Sequence, residues 1–216
     1  MRSHVERNLM TPDREQALTL ELLAAIESRS DVTQRHLAAR LDVALGLANS
    51  YLRRCVRKGL VKITQAPANR YLYYLTPQGF AEKSRLTAHY LSVSFDFYRH
   101  AGASVVQTFQ ACEALGVRRI LFVGISELAE IASARSHDTA LEIIGTYAPQ
   151  DLRSQYLGKP VWSGRLPDAP FDVAMLTALE NCAALYREVA QQIDPIRIVV
   201  PDLLTAVLGV EPVLLI

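Results

Sequence analysis

The chain has 216 residues, half of them hydrophobic, and a formal net charge of +1, which allows one good core or two small ones. No stretch approaches the 18 apolar residues of a membrane span and the N-terminus has no apolar signal segment, so we expect a soluble, cytoplasmic protein without a membrane partner. Its three cysteines are scattered without Cys-x-x-Cys or Cys/His spacing, which argues against zinc and predicts reduced, buried thiols and no metal.

The small net charge hides an asymmetry between the two halves of the chain. Residues 1–100 carry 15 Lys and Arg against 9 Asp and Glu, a net charge of +6, whereas residues 101–216 carry 8 against 13, a net charge of −5. A basic half joined to an acidic half is typical of a nucleic-acid-binding head on a body that does not bind nucleic acid.

In chain order, the first half predicts three helices and a β-hairpin. Thr11 and Pro12 are a cap and a first-turn proline for a helix that ends near Ser28. Thr33 caps a second helix, and a third spans roughly residues 45–58. The stretch TQAPANRYLYYL predicts a hairpin with a basic tip. The second helix, a turn, the third helix and the hairpin form the pattern of a winged helix-turn-helix. In this motif the later of the two helices, here the third helix of the chain, can enter a major groove of DNA.

The outward face of the third helix is the candidate DNA-binding surface. Ala48, Leu52, Cys55 and Val56 recur at three- and four-residue spacing and are expected to face the core. The early positions of such a helix meet base edges, whereas arginine and lysine further along contact phosphates. The predicted DNA-binding residues are Gly46, Asn49, Ser50, Arg53, Arg54, Arg57 and Lys58, with Asn69 and Arg70 at the hairpin tip. Basic residues alone would indicate a solvated helix surface, but the surrounding pattern favours DNA.

Two stretches carry a resemblance to a known family. They are TQRHLAARLDVALGLANSYLRRCVRKGLVKI and, more specifically, YLYYLTPQGFAEKSRLTAHYL. Residues 33–98 thereby resemble the winged-helix regulators related to MarR that are associated with exopolysaccharide gene clusters. The resemblance implies a DNA-binding transcriptional regulator of a polysaccharide locus, with double-stranded DNA as its partner. It does not extend to residues 102–216.

A helical region follows the hairpin. Thr76 and Pro77 again predict a helix start, and residues 100–103 are expected to break or bend the helix before a second one continues to about residue 115. In MarR-like proteins this region is commonly where two subunits meet, so we expect a homodimer. The expected contact residues are Phe80, Leu86, Leu91 and Phe95. The alternative is that this apolar stripe packs on the chain's own winged helix.

The second half predicts strands that alternate with helices. Strands are expected at residues 119–124, 141–147, 171–176 and 196–200, and helices at residues 127–135 and 181–193. This alternation predicts a parallel sheet with right-handed crossovers. The fold class is therefore an α+β winged helix-turn-helix followed by an α/β Rossmann-like domain with a small parallel sheet. The predicted domains are residues 1–75, a helical linker and dimerisation region at residues 76–116, and residues 117–216.

The turn after the first of these strands, VGISELAEIA, is a candidate ligand site. A dinucleotide fingerprint has the spacing G-x-G-x-x-G, and here Gly124, Ser126 and Ala129 occupy the three glycine positions. Residues 120–162 resemble the nucleotide-binding domain of nucleotide-sugar acyltransferases, and the domain order resembles the NADH-sensing Rex repressors. These resemblances imply a nucleotide or nucleotide-sugar effector, which we expect at Gly124, Ile125, Ser126 and Glu127. A packing and dimerisation domain without a ligand, and with no cofactor, is an equal alternative.

Catalytic patterns are weak in this sequence. Ser126, Ser163 and His137 do not form a recognisable triad motif, and Lys159 does not lie in a P-loop. We therefore predict no catalytic residue and no enzyme, and an effector-sensing or assembly role for the second domain. The alternative is a Rossmann-type enzyme that acts on a nucleotide or nucleotide-sugar and carries an accessory DNA-binding head.

Overall fold

The computed structural model describes residues 12–67 and 70–209. The chain divides into two compact units, residues 1–94 and 95–216. The elements of the first unit are α1 (Pro12–Ser28), α2 (Gln34–Arg40), α3 (Leu45–Arg57), β1 (Val61–Ala66), β2 (Arg70–Leu75) and the first part of α4 (Pro77–Ala114). The boundary between the units therefore lies within α4.

The first unit is a winged helix-turn-helix, as predicted. Strands β1 and β2 pair antiparallel, from Val61 opposite Leu75 to Ala66 opposite Arg70. The core combines apolar side chains of all three helices, the hairpin and α4, namely Leu22, Leu23, Ala25, Ile26, Val32, Leu37, Ala38, Leu41, Ala48, Tyr51, Leu52, Cys55, Leu60, Val61, Tyr73 and Leu86. The predicted bounds of the helices agree with the structure to within about one residue, and the predicted cap Thr11 lies outside the described residues.

Thr76 connects the hairpin to α4. Its hydroxyl donates to the carbonyl of Gly59 at 2.6 Å and accepts from the backbone N–H of Gly79 at 3.0 Å. A Cβ added at Gly79 would lie 2.0 Å from the carbonyl oxygen of Leu60. The start of α4 therefore packs directly on the backbone that follows α3, and only glycine fits at this position.

Helix α4 differs from the prediction in two respects. It is continuous from Pro77 to Ala114, through residues 100–103, where a break was expected. Gly102 is buried in this helix, where an interior glycine weakens the helix by roughly 1 kcal/mol without ending it. Leu86 is only 3% exposed and belongs to the core of the first unit, whereas Leu91 is 46% exposed. Leu86 is therefore not available to a second subunit.

The second unit is an α/β domain, as predicted, built on a six-stranded sheet of order β5-β6-β4-β3-β7-β8. Its elements after α4 are β3 (Arg119–Val123), α5 (Glu127–Ser136), β4 (Glu142–Tyr147), β5 (Gln155–Tyr156), β6 (Lys159–Trp162), β7 (Val173–Leu176), α6 (Cys182–Ala190), a 3₁₀ turn (Pro195–Arg197), β8 (Ile198–Val199) and α7 (Asp202–Leu208). Strands β6, β4, β3, β7 and β8 are parallel, and β5 is antiparallel. The strand order reverses at β3, which is the topological switch point of a Rossmann-like sheet.

Three short features of the second unit have little pattern in the sequence. Strands β5 and β6 form a hairpin that adds an antiparallel edge to the sheet. Helix α7 has only seven residues. The strand expected at residues 196–200 is shortened, because Asp194 caps a 3₁₀ turn by accepting from the N–H of Ile196 at 3.0 Å. None of the described helices is both long and apolar enough to cross a membrane.

Candidate nucleic-acid interface

Four side chains hold α3 in the first unit. Ala48, Tyr51, Leu52 and Cys55 are buried on one side of this helix, at the spacing of an amphipathic helix. Burial raises the pKa of the Tyr51 hydroxyl, and it raises the pKa of the Cys55 thiol to about 11. Tyr51 was absent from the predicted core, although its spacing from Ala48 and Cys55 is the signal that would have found it.

The opposite side of α3 forms the reading face, which we define as Asn49, Ser50, Arg53 and Arg57. Ser50, Arg53 and Arg57 are exposed. Among the described residues, neither arginine has an acidic partner. No acidic residue occurs in the sequence of α3. This face is therefore positively charged, with no local carboxylate competing for its cations.

Asn49 lies in a groove beside the hairpin. The groove has a volume of about 410 Å³ and is lined in part by Gln34, Ile63 and Tyr73. The Oδ1 atom of Asn49 is buried and accepts no hydrogen bond within the described part of the chain. An unpaired buried acceptor costs about 1–3 kcal/mol, and adenine offers an N6–H donor to asparagine in the major groove. This oxygen must become accessible before it can meet a base edge, so the base contact by Asn49 stays a prediction.

Arg54 lies apart from the reading face. Its guanidinium pairs with the Glu15 carboxylate of α1 at 2.5 Å, and its side chain is 37% exposed. The phosphate contact expected of Arg54 stays a prediction, and Glu15 competes with phosphate for this cation.

The remaining predicted residues lie at the ends of α3 and on the hairpin. Gly46, Lys58 and Arg70 are exposed, and Asn69 lies outside the described residues. Tyr71, next to Arg70, is 55% exposed and was not predicted. It shares a hairpin face with Ile63 and Tyr73, because side chains two apart on a strand point the same way, so this face extends the groove at Asn49 towards the hairpin tip.

The turn between β3 and α5 contains the predicted ligand-binding residues. Ser126 caps α5, since its Oγ accepts from the Leu128 N–H at 3.1 Å, and it also donates to the carbonyl of Thr177 at 2.5 Å. Thr177 in turn donates to the carbonyl of Gly124 at 2.6 Å. Ile125 is half-buried and Glu127 is exposed. These bonds tie the loop after β3 to the loop after β7.

Gly124 has a packing role in this turn. Its φ is +97°, and a Cβ added there would lie 2.4 Å from the Cβ of Ala178. Ala178 therefore requires glycine at position 124 whether or not a ligand binds. The proposed ligand contact at residues 124–127 stays a prediction, and the glycine itself is not an argument for it.

A separate cleft of about 370 Å³ lies between α5, β4 and the β5–β6 hairpin. Its lining residues are Phe122, Ser133, Ser136, His137, Leu141, Glu142, Ile143, Thr146, Tyr156, Leu157 and Lys159. None of residues 124–127 is among them. In the described part of the chain, no group of His, Cys, Asp and Glu side chains is arranged to hold a metal ion.

The first unit matches a known family model. Residues 16–62 match the model described as winged helix-turn-helix DNA-binding. This stretch runs from α1 through the start of β1 and includes the whole reading face. A comparison with curated proteins gives no match.

Solved structures are similar to this chain in two ways. MepR, a transcription regulator of the Staphylococcus aureus multidrug efflux pump MepA, is 22% identical over 43% of this chain and 67% of its own, with a TM-score of 0.34. The zinc-dependent MarR family regulator AdcR is 20% identical over 43% of this chain and 60% of its own, with a TM-score of 0.31. Human N-acetylserotonin methyltransferase, in complex with SAM, is 14% identical over 92% of this chain and 80% of its own, with a TM-score of 0.32. At these values the likeness assigns neither a ligand nor an activity to this chain.

The expectation that the chain is no enzyme is corrected by this comparison. A methyltransferase is among the proteins that resemble it, over 92% of its length. Catalysis in which a bound cofactor carries the chemistry does not need a nucleophilic triad. The missing triad and P-loop motifs are therefore no reason to exclude catalysis.

Proposed function

We propose that the chain is a DNA-binding transcriptional regulator that reads double-stranded DNA through α3 and the β1–β2 hairpin. The observation that carries this proposal is the reading face, where Arg53 and Arg57 are exposed and have no acidic partner among the described residues. In helix-turn-helix docking this helix enters the major groove. Asn49 then reads a base, Arg53 and Arg57 contact phosphates, and Arg70 reaches the neighbouring backbone.

Replacing both Arg53 and Arg57 with alanine tests the interface. Each lost phosphate contact reduces the slope of log affinity against log salt by roughly 0.9, so the double variant is expected to bind weakly and to lose about 2 units of slope. The measurement is fluorescence anisotropy at several salt concentrations, on genomic fragments recovered by chromatin precipitation with the full chain. Asn49→Ala is expected instead to change sequence preference, by about 1–3 kcal/mol at one base pair.

Two control variants each remove one arginine elsewhere. Arg54→Ala lies on the same helix but loses a cation held by Glu15. Arg99→Ala loses an exposed cation that pairs with Asp96. Both are expected to keep the salt slope of the unmodified chain. If the Arg53/Arg57 variant also keeps its slope and its affinity, the reading face does not contact DNA.

The finer part of the proposal concerns the assembly and the genes controlled. In this proposal the protein acts as a homodimer on a pseudo-palindromic operator in a polysaccharide-related gene cluster, and the second unit senses an effector or supports assembly. The resemblance of residues 33–98 supports the gene context, and the exposed Phe80 and Leu91 of α4 support a dimer contact. Chromatin precipitation that recovers no site near polysaccharide genes contradicts the gene context.

A second candidate function is a Rossmann-type enzyme that acts on a nucleotide or nucleotide-sugar and carries an accessory DNA-binding head. The reversal of strand order between β3 and β7 favours it, because ligands of open α/β sheets bind at the carboxyl ends of the strands beside such a point. Turnover of a nucleotide-sugar by the full chain, followed by mass spectrometry, distinguishes this candidate from a sensor, which binds its ligand unchanged.

A further inference from the structure

The cleft between α5, β4 and the β5–β6 hairpin contains polar groups that the fold does not use. The Thr146 side chain is 2% exposed and lines the cleft. Lys159 has no acidic partner in the same part of the chain. The Nδ1 of His137 lies 2.9 Å from the carbonyl of Ser133, which leaves Nε2 available. Several unused donors and acceptors thus converge on one concave surface.

A strained residue forms one wall of this cleft. Leu157 and Gly158, at the tip of the hairpin, both have positive φ, 51° and 71°, which is the backbone of a type I′ turn. Asn-Gly is the preferred sequence for this turn, and a bulky side chain in the left-handed region costs roughly 1–2 kcal/mol. Leu157 is also 41% exposed and lines the cleft. Such strain clusters at functional sites, ligand clamps among them, so Leu157 is included in the candidate site.

The lining residues indicate the chemistry of the ligand. Lys159 offers a cation to an anionic group at one side of the cleft. Ser133, Glu142 and Thr146 suit hydroxyl groups, since a carboxylate accepts from them and hydroxyls both donate and accept. Phe122, Leu141 and Leu157 offer apolar surface to the carbon face of a ring. The volume of about 370 Å³ lies at the low end of ligand pockets of about 300–1,000 Å³, which suits a single ring.

We propose that this cleft binds a small polyhydroxylated metabolite with one anionic group, of the sugar-phosphate or sugar-acid type. The site deepens the effector-sensing role proposed for the second unit and rests on it. It is separate from the turn at residues 124–127, where the packing of Ala178 already accounts for Gly124.

Calorimetry and thermal melting of the full chain test the site. The probes are glucose 6-phosphate, glucuronate, uncharged glucose and UDP-glucose. At least one of the two anionic sugars is expected to bind and to raise the Tm by several degrees at saturation, because a ligand stabilises the state to which it binds. Glucose is expected to bind far more weakly, since Lys159 then has no anion to contact.

Two variants and one control locate the ligand. Lys159→Met is expected to weaken binding about tenfold or more, the equivalent of one charge-assisted hydrogen bond. Leu157→Asn introduces the preferred turn sequence, so it is expected to raise the Tm of the free chain by roughly 2 °C. It is also expected to lower the affinity for the ligand. Arg165→Met removes an exposed cation outside the cleft, one that pairs with Asp168, and is expected to bind like the unmodified chain.

Three results overturn the proposal. In the first, neither anionic sugar binds. In the second, Lys159→Met binds the sugar as tightly as the unmodified chain does. In the third, only UDP-glucose binds, and Lys159→Met binds it equally well. The last of these places the ligand outside this cleft. DNA affinity is measured separately, without sugar. If the chain binds the sugar but no DNA, the proposed regulator function is wrong and the proposed sugar site still stands.

Discussion

At positions 79 and 124, a neighbouring atom leaves no room for a side chain larger than that of glycine. A Cβ at Gly79 would lie 2.0 Å from the Leu60 carbonyl oxygen, and one at Gly124 would lie 2.4 Å from the Ala178 Cβ. The first contact gives a physical reason for the Thr-Pro-Gln-Gly run after the hairpin. Thr76 caps α4, and Gly79 lets the start of α4 lie against the backbone of Leu60. The second shows that a glycine in a fingerprint-like turn also serves packing.

Gly124→Ala is expected to destabilise the second unit by about 2–4 kcal/mol, from overpacking against Ala178 and from its positive φ. Gly116→Ala is the matched control, because Gly116 has a φ of +78° but no atom within 4 Å of an added Cβ. Urea unfolding followed by the fluorescence of Trp162, the single tryptophan of the chain, measures both. Equal destabilisation by the two variants would show that Ala178 is not the reason for Gly124.

At the scale of elements, α4 has two kinds of apolar residue that look alike in the sequence. Leu86 is buried with the core of the first unit, whereas Phe80, Tyr90, Leu91 and Val93 are 46–61% exposed. Phe80 and Leu91, about three turns apart, lie on one face of the helix, and an exposed apolar face is typical of an interaction surface. Tyr90 and Val93 lie on the side of Leu86, with which they line a groove. The burial of Leu86 removes one residue from the expected subunit contact and leaves its neighbours available.

Aspartate at these two leucines is expected to give different results. Leu86→Asp buries an unpaired charge and is expected to unfold the first unit. Leu91→Asp is expected to keep the fold, as judged by circular dichroism, and to shift a dimer towards monomer in light scattering. Ser92→Asp adds the same charge at a neighbouring exposed position and serves as the control. An intact dimer for Leu91→Asp would move the subunit contact to another surface.

At the scale of the whole molecule, each unit has its own core. Cys55 belongs to the core of the first unit, and Cys112 and Cys182 belong to the core of the second. All three are free and buried. Burial raises the pKa of the Cys55 and Cys112 thiols to about 11, so the native chain presents few thiolates to a reagent at neutral pH. The cysteines are therefore natural probes for the opening of each unit.

Thiol alkylation is expected to report the two units separately. At increasing urea concentration, mass spectrometry of the alkylated peptides should show Cys55 modified at a different midpoint from Cys112 and Cys182. The raised pKa of Cys55 means that the folded state holds the thiol proton more tightly, so this contribution to stability is present below the unfolded value of about 8.5 and is lost as the pH rises towards 11. The Cys55 midpoint should fall over that range.

Cys55→Ala is the control for the pH dependence. With the thiol removed, the first unit, followed by circular dichroism, should lose less stability between neutral and alkaline pH than the unmodified chain. Modification of all three cysteines at one urea concentration would indicate that the two units unfold together.

The helices and hairpin of the winged helix-turn-helix and the parallel strands β3, β4, β7 and β8 of the second sheet could be predicted from the sequence. These features depend on local periodicity and caps, such as the spacing of Ala48, Leu52 and Cys55 on α3, which neighbouring residues determine among themselves. The positive charge of the reading face is equally local, because no acidic residue interrupts α3.

Only the tertiary structure decided which side chains meet. The pairing of Arg54 with Glu15, the burial of Leu86 and the contact of Ala178 with Gly124 join residues far apart in the chain. Helix α4 continues through Gly102 for a similar reason, since packing overrides a weak local preference. The cleft at Lys159 depends on α5, β4 and a hairpin too short to show a pattern. A sequence pattern indicates that a side chain is buried, but the packing of distant elements determines what it is buried against.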